Sequence, residues 1–195
     1  MRVTVEGAPP TGRFFLVANH VGYVDIPLIA TAVDAAFVAK ADLARWPFLG
    51  KVLAAADTIF IDRARKKDVL RVIEQVEAAM DRGLGVVLFP EGTSGKGDEI
   101  LRFKPSLLQF AVEGGHEVHY ATLEYRTFDG DLPPSEGVCW WGDEALLPHY
   151  RRLSCLRGGI EAVLRFGDQP IRGEDRKVLA EELREGMLRS FQPMP

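Results

Sequence analysis

A histidine and an aspartate five positions apart, His20 and Asp25, are the clearest candidates for acid–base chemistry in the sequence. On a straight helix, side chains at this spacing diverge by about 140°, so the two can meet only where a turn passes into a helix. The apolar run 14–18 predicts a strand and residues 25–33 predict a helix, which puts His20 in that turn. A carboxylate bound to one imidazole nitrogen makes the other more basic, and such a pair removes a proton from a hydroxyl. The same spacing is also typical of a histidine beside an aspartate that caps a helix.

The glycine-rich segment 89–97, FPEGTSGKG, begins where the apolar strand 85–89 is predicted to end. Ligands collect at this edge of α/β sheets, and glycines let backbone N–H groups approach an anion. The segment is not a phosphate-binding P-loop, because Pro90 and Gly97 stand where that motif has a glycine and a hydroxyl residue. It also lacks the spacing of a nucleophile elbow. A plain surface turn is the alternative interpretation.

Arg63 leaves the end of the predicted strand 58–62 and directs a guanidinium, a group that binds anions, toward the same sheet edge. His116 and His119 are spaced one residue short of the zinc motif HExxH and lie in a predicted strand, so no metal site is expected. His149 has no partner visible in the sequence.

Strand and helix patterns alternate through the first two thirds of the chain, without a linker, repeat or low-complexity tract. Short apolar strands between amphipathic helices predict an α/β fold, with a central, mainly parallel sheet flanked by helices on both faces. Strands that follow one another later in the chain make this sheet mixed. We therefore predict a single domain over residues 1–195. The further predicted strands are 37–40, 117–125, 138–141 and 160–166, and the further predicted helices are 42–56, 68–80, 105–113, 144–156 and 174–191.

The composition is that of a folded protein, since 47% of the 195 residues are hydrophobic and 27% are charged. A net charge of −4 argues against nucleic acid as a partner. No stretch approaches the roughly 20 apolar residues that span a bilayer, and the first residues have no signal-peptide core. Cys139 and Cys155 are predicted to be free, packed thiols of a cytoplasmic protein.

In their order and spacing, the segments NHVGYVD, IFIDR and FPEGT resemble the glycerolipid acyltransferase family, typified by bacterial 1-acylglycerol-3-phosphate acyltransferase. The resemblance covers roughly residues 14–125, and the joint pattern is far more specific than any one segment. Residues 37–50 and 118–125 are similar to the lyso-ornithine-lipid and lysophospholipid branches of the family. The resemblance implies a glycerol-3-phosphate acyltransferase-like fold.

What the resemblance implies is the direct transfer of a fatty acyl group from an acyl-CoA or acyl-ACP thioester to the hydroxyl of a lysolipid, 1-acylglycerol-3-phosphate or a related lysophospholipid, in membrane lipid synthesis. It implies no covalent acyl-enzyme and no cofactor beyond the thioester co-substrate, which is carried by coenzyme A or acyl carrier protein. His20 would be the general base and Asp25 its orienting partner. The residues expected to bind the acceptor are Arg63, Glu91, Gly92, Thr93 and Lys104.

Ser94 stands where the family often has an arginine. The missing guanidinium weakens the case for a phosphomonoester acceptor such as lysophosphatidic acid, and it makes lyso-ornithine lipid the alternative acceptor. Two alternatives belong to other classes: a non-catalytic lipid-binding protein and a thioesterase. Loss of transfer in His20→Ala would argue against the first, and thioester hydrolysis without a lysolipid would favour the second.

A lysolipid acceptor implies contact with a membrane surface. Many family members carry a hydrophobic anchor ahead of the histidine, which 19 residues precede here. Either such an anchor has been lost from this sequence or the contact is peripheral, and we expect peripheral contact on the inner face of the cytoplasmic membrane. Trp46, Phe48 and Leu49, beside Arg45 and Lys51, form the apolar and basic mixture expected at a lipid interface. Packing of the same residues in the core is the alternative.

Overall fold

A seven-stranded sheet organises the structure, which is a computed structural model describing residues 1–45, 57–61 and 66–195. The strands are short, and those in the middle of the sheet are fully apolar, as expected for strands buried on both faces. Within the described residues they are β1 (Arg2–Glu6), β2 (Phe15–Ala18), β3 (Ala35–Lys40), β4 (Ile59–Ile61), β5 (Gly85–Leu88), β6 (Val118–Arg126) and β7 (Glu161–Phe166).

The sheet is mixed and mainly parallel, as the sequence predicts, with the strands in the order β1-β7-β6-β2-β5-β3-β4. β2 lies in the middle and pairs in parallel with both β5 and β6. β3 and β4 continue the parallel arrangement, whereas β7 runs antiparallel to β6 and pairs with β1 at the far edge. The carboxyl ends of β2 and β5 therefore meet at one edge of the sheet, and the two glycine-containing motifs follow them there.

Helices cover both faces of the sheet. The alternating side chains of β2 separate the two layers: Phe15 and Val17 pack with buried residues of three later helices, and Leu16 and Ala18 pack with the helix that begins at Asp25. Within the described ranges, no helix is long and apolar enough to cross a membrane. The helices are α1 (Asp25–Ala30), α2 (Lys66–Asp81), α3 (Gln109–Glu113), α4 (Pro134–Gly137), α5 (Leu146–Ser154) and α6 (Arg176–Leu188), with 3-10 turns at Ala41–Arg45 and Pro105–Leu107.

Asn19, directly after β2, fastens the end of that strand to β6. Its Oδ1 accepts a hydrogen bond from the Leu123 N–H at 2.7 Å, and its Nδ2 donates to the Leu123 carbonyl at 3.1 Å. Asn19 is buried, so these bonds satisfy polar groups that water does not reach. The side chain of Asn19 thus continues the β2–β6 pairing, while its backbone begins the turn that leads to α1.

One predicted strand is wrong. Residues 138–141 are apolar, but they follow α4 as irregular chain, in which the N–H groups of Val138 and Cys139 both donate to the Pro134 carbonyl. Burial rather than strand pairing accounts for Val138 and Cys139, whereas Trp141 is exposed. The prediction that both thiols are packed is half right, because Cys155 is exposed.

Two further differences concern a strand at the edge of the sheet and the end of a helix. β1 was not predicted, because its short alternating sequence gains its pairing from β7 alone at the sheet edge. The helix predicted over 25–33 ends at Ala30, where the Thr31 N–H turns back to the Leu28 carbonyl. Of the helix predicted over 42–56, the structure describes the 3-10 turn at Ala41–Arg45, and the remainder lies outside the described residues.

The Asn19 contact predicts a large loss of stability on truncation. Asn19→Ala leaves the buried N–H and carbonyl of Leu123 without their partner, and we expect the free energy of unfolding to fall by about 3 kcal/mol. Gln109→Ala is the matched control, since its amide makes solvent-exposed bonds and should cost less than about 0.5 kcal/mol. Urea unfolding followed by circular dichroism measures both. Equal losses in the two variants would contradict the interpretation.

Candidate active site

His20 and Asp25 meet at the carboxyl end of β2, in the arrangement that the sequence predicts. His20 lies in the turn after the strand and Asp25 is the first residue of α1. The imidazole Nδ1 lies 2.7 Å from Asp25 Oδ2. Asp25 is fully buried, whereas 22% of the His20 side chain is exposed. The buried carboxylate therefore holds a histidine whose other ring nitrogen, Nε2, can reach a bound molecule.

The Asp25 carboxylate accepts three hydrogen bonds in addition to that of His20. The N–H groups of Val21 and Gly22 donate to Oδ2 at 2.7 and 3.1 Å, and the Tyr125 hydroxyl donates to Oδ1 at 2.8 Å. A buried carboxylate needs such donors to offset the loss of water. The same bonds fold the turn between β2 and α1 around the carboxylate.

The imidazole of His20 stacks on Phe89, the residue that follows β5. The ring centroids are 4.1 Å apart and the planes are inclined by 19°. Phe89 thus fixes one face of the imidazole, while Asp25 fixes the Nδ1 edge. Because one contact follows a central strand and the other begins α1, the histidine is held from two elements before any ligand arrives.

His20 lines a cavity of about 290 Å³ at this edge of the sheet. The lining is mostly apolar, with the polar groups of His20 and the glycine-rich segment at one side. This is the usual make-up of a site that binds a largely hydrophobic molecule and orients it through a few polar contacts. The residues that line the cavity are His20, Ile26, Phe37, Val38, Ala39, Lys40, Leu43, Phe89, Gly92, Thr93, Ser94, Trp140 and Gly142.

Glu91 lies behind the histidine and binds backbone. Its Oε1 accepts from the His20 N–H at 2.9 Å and its Oε2 accepts from the Leu101 N–H at 3.0 Å. The side chain is 2% exposed, and burial raises the pKa of Glu91 to about 8, against the lowering effect of the two N–H donors. Glu91 therefore joins the histidine turn to Leu101, beyond the glycine-rich segment, and it does not line the cavity.

The glycine-rich segment is tied to two neighbouring loops. Gly92 adopts a positive φ of 73°, which only glycine accepts without strain, and turns the chain after Phe89. The Gly95 N–H donates to the His20 carbonyl at 2.8 Å. Ser94 Oγ donates to the Trp140 carbonyl at 2.5 Å, and the Trp140 N–H donates to the Val21 carbonyl at 2.7 Å. The histidine turn, the glycine-rich segment and the Trp140 loop therefore form one connected wall.

A buried aromatic cluster supports the Trp140 loop from behind. The Tyr23 hydroxyl lies 3.0 Å from His149 Nδ1, and the Tyr23 ring meets Trp140 edge to face at 5.8 Å. Burial raises the pKa of Tyr23 to about 12 and lowers the pKa of His149, so the phenol keeps its proton and the imidazole is neutral. His149, for which the sequence offered no partner, is thus part of the support for this wall.

The structure brings together some of the predicted binding residues and separates others. Gly92 and Thr93 line the cavity with His20. The exposed Lys104 does not line it, and its backbone N–H donates to the Pro90 carbonyl. Arg63 lies outside the described residues, as do the apolar residues 46–49 proposed for membrane contact.

Several residues of the site, two that line the cavity and one beneath it, were missed, and their sequence context explains why. Lys40 ends β3 and pairs with Asp42 at 2.8 Å, but nothing in the sequence distinguishes it from other basic residues at strand ends. Trp140 lies in the stretch that was wrongly predicted to be a strand. Tyr125 lies in the apolar pattern of β6, where an aromatic residue is typical of a core position.

The candidate zinc histidines lie away from this site. His119 is in β6, and His116 precedes that strand with its Nε2 2.8 Å from Glu77 Oε1. No group of three or more histidine, cysteine or acidic side chains in the described residues is placed to hold a metal ion.

Comparisons with known proteins relate this arrangement to enzymes of lipid synthesis. A family model described as Acyltransferase matches residues 2–123. The lyso-ornithine lipid O-acyltransferase of Pseudomonas aeruginosa is 32% identical over 187 residues, which cover 95% of this chain and 70% of that protein. The 1-acyl-sn-glycerol-3-phosphate acyltransferase of Neisseria gonorrhoeae is 34% identical over 110 residues, which cover 56% of this chain and 43% of that protein.

A solved structure has the same fold. The crystal structure of the 1-acyl-sn-glycerophosphate (LPA) acyltransferase from Thermotoga maritima superposes with a TM-score of 0.66 at 25% identity. The match covers 97% of this chain and 72% of that one. The chain thus spans between 43% and 72% of the length of these three relatives.

The buried Glu91 predicts a pH dependence of stability. A pKa near 8 in the folded state, against 4.5 when unfolded, means that unfolding between these values releases a proton, so the free energy of unfolding falls as the pH rises. The contribution of Glu91 is complete below about pH 4.5 and is lost by about pH 8. In urea unfolding, the free energy of unfolding of Glu91→Gln should therefore decline less steeply with pH over this range than that of the wild type. The difference in slope should correspond to up to about one proton released on unfolding.

The control for this experiment is Glu113→Gln, which removes the charge of an exposed glutamate. We expect the control to keep the wild-type slope. A Glu91→Gln protein with the wild-type slope would mean that Glu91 is ionised throughout the range.

Proposed function

Because the chain belongs to the acyltransferase family, we propose that it transfers a fatty acyl group from an acyl-CoA or acyl-ACP thioester to the hydroxyl of a lysolipid. The observation that carries the proposal is the His20–Asp25 pair, which opens onto an apolar cavity at the carboxyl end of β2. The whole activity is a proposal because the matches cover 70% of the Pseudomonas aeruginosa protein and 43% of the Neisseria gonorrhoeae protein.

The reaction needs a base that first takes a proton and then returns it. His20 Nε2 removes the proton of the lysolipid hydroxyl while the oxygen attacks the thioester carbonyl carbon. The resulting tetrahedral oxyanion collapses to the ester and expels the thiolate, which takes the proton from His20 as it leaves. Atoms and charge balance without an acyl-enzyme, and no serine or cysteine nucleophile is needed.

Asp25 makes this cycle possible by holding the imidazole in one tautomer. Its Oδ2 accepts a hydrogen bond from Nδ1–H at 2.7 Å, which leaves Nε2 as the basic nitrogen and stabilises the imidazolium that forms during attack. The stacking on Phe89 keeps the ring from rotating away from the cavity. Glu91 binds the backbone N–H of His20 and so fixes the position from which the imidazole projects.

The cavity fits part of an acyl chain or of the lipid that carries the hydroxyl. Ile26, Phe37 and Phe89 supply apolar surface next to the imidazole. Gly92 and Thr93 face the same space, which supports a role for them beside the acceptor. Contact of Arg63 or Lys104 with the head group is part of the proposal on the strength of the family resemblance.

Ser94 favours lyso-ornithine lipid over lysophosphatidic acid as the acceptor. Its hydroxyl is committed to the Trp140 carbonyl, and the cation that lines the cavity in the described residues, Lys40, is paired with Asp42. A phosphate monoester calls for unpaired cations, preferably a guanidinium. An ornithine head group carries one positive and one negative charge, so it needs fewer unpaired cations than a phosphate monoester does. A lysophospholipid acceptor is the alternative that the test below separates.

Since the acceptor is a lipid, we propose peripheral contact with the inner face of the cytoplasmic membrane, from which the lysolipid enters the cavity. A lipid-binding protein without turnover, or a thioesterase in which His20 activates water, would use the same cavity. Acyl transfer that requires the acceptor separates these functions.

The catalytic role of His20 predicts a large and selective loss. Thiol release from palmitoyl-CoA is followed with lyso-ornithine lipid, with lysophosphatidic acid or with no acceptor, and repeated with acyl-ACP. We expect acceptor-dependent release, and a fall of about 10³-fold in His20→Ala. His116→Ala is the matched control, because His116 is also paired with a carboxylate at 2.8 Å but lies at the other end of the sheet.

Three other outcomes would count against the proposal. Release that does not depend on the acceptor identifies a thioesterase. Silence with every donor and acceptor, in the presence of lipid vesicles, identifies a non-catalytic lipid-binding protein. Equal losses in the two histidine variants would mean that His20 has no special role in the reaction.

Ser94 predicts a change of acceptor preference. We expect Ser94→Arg to raise the ratio of kcat/KM for lysophosphatidic acid over that for lyso-ornithine lipid by about tenfold, since a guanidinium binds a phosphate through two hydrogen bonds. Ser94→Ala removes the bond to Trp140 without adding a cation, and it should leave the ratio unchanged. A ratio unaffected by the arginine would mean that this position does not face the head group.

A further inference from the structure

The second oxygen of the Asp25 carboxylate receives its hydrogen bond from a distant part of the chain. Tyr125 Oη donates to Asp25 Oδ1 at 2.8 Å, across 100 positions of sequence. Both side chains are fully buried. The other donors to the carboxylate belong to the turn at residues 20–22 and all bind Oδ2. Tyr125 is therefore the contact that ties Asp25 to the sheet rather than to its own turn.

The position of Tyr125 is fixed by the pairing of β6. β6 pairs with β2 over residues 118–121 and then continues along β7 to Arg126. Asn19 grips this extension through both backbone groups of Leu123. Tyr125 thus projects from paired backbone beneath the turn that carries His20 and Asp25.

This geometry restricts the rotation of the carboxylate. Three donors on Oδ2 hold that oxygen, and a donor on Oδ1 at the far side of the carboxyl carbon sets the plane in which both oxygens lie. The direction of Oδ2 toward His20 Nδ1 depends on this plane. Burial and the charge of Asp25 raise the pKa of Tyr125 well above its usual value, so the phenol keeps its proton and acts as a donor.

We propose that Tyr125 is a positioning residue for acyl transfer, which orients Asp25 and through it the base His20. The proposal rests on the acyltransferase function proposed above. Tyr125 touches no substrate, since it lies beneath the pair and does not line the cavity. Its removal should therefore affect the chemical step and spare substrate binding.

The first test is kinetic and uses Tyr125→Phe, which keeps the ring in the core and removes only the hydroxyl. We expect kcat to fall by about tenfold, with KM for donor and acceptor changed by less than about twofold. Tyr120→Phe is the matched control, since Tyr120 lies on the same strand but packs against the opposite face of the sheet. We expect the control to keep the wild-type kcat. A Tyr125→Phe enzyme with wild-type kcat would overturn the proposal.

A double-mutant cycle separates positioning from a general loss of structure. If Tyr125 acts through Asp25, adding Tyr125→Phe to Asp25→Ala should lower kcat by less than about twofold further. A full additional loss of about tenfold in the double variant would assign the effect to core packing instead.

A second measurement needs neither substrate nor turnover. In protein labelled with ¹⁵N-histidine, the Nδ1 proton of His20 gives a resonance that His20→Gln removes. We expect Tyr125→Phe to shift this resonance and Tyr120→Phe to leave it in place. An unchanged resonance in Tyr125→Phe would overturn the proposal. A shifted resonance in a protein with no acyl transfer would uphold the placement of Tyr125 and reject the proposed function instead.

Discussion

The arrangement around His20 depends on keeping one carboxylate, Asp25, fully buried beside an imidazole that is not. Burial strips the carboxylate of water, and its lone pairs must be satisfied by protein donors in fixed directions. The turn between β2 and α1 supplies three of these donors, and β6 supplies the fourth. The close turn, the placement of α1 and the long β6 are all ways of surrounding this charge, and the orientation of the histidine follows from them.

A second buried carboxyl group, that of Glu91, performs a different task. Within the described residues it accepts hydrogen bonds from two backbone N–H groups, one from the histidine turn and one beyond the glycine-rich segment. Burial raises its pKa, which Asp25 raises further through like charge, while Arg184 has the opposite effect. Asp25 therefore sets the direction of the imidazole and Glu91 sets the position of its backbone. The family motif, which suggests an acceptor-binding glutamate, does not distinguish these two uses of a carboxylate.

What could be predicted from the sequence was set by local pattern. The apolar strands 14–18 and 85–89, and the turn-to-helix placement of His20 and Asp25, depend on neighbouring residues, and the structure confirms them. Tyr125 could not be found in this way, because its contact with Asp25 exists only once β6 has paired with β2. The run 138–141 resembles a strand for a related reason: Val138 and Cys139 are buried against a sheet, and burial there selects the same residue types as membership of the sheet.

The site consists of a paired sheet, which is hard to change, and a wall of irregular chain, which is easier to change. β7 pairs with β6 up to Arg126, so the sheet that carries Tyr125 beneath Asp25 and His20 is continuous. The facing wall, which contains Ser94 and Trp140, is irregular chain joined through side-chain and loop hydrogen bonds. Substitutions in that wall leave the strands paired, so the lining of the cavity can change while the contact between His20 and Asp25 is kept.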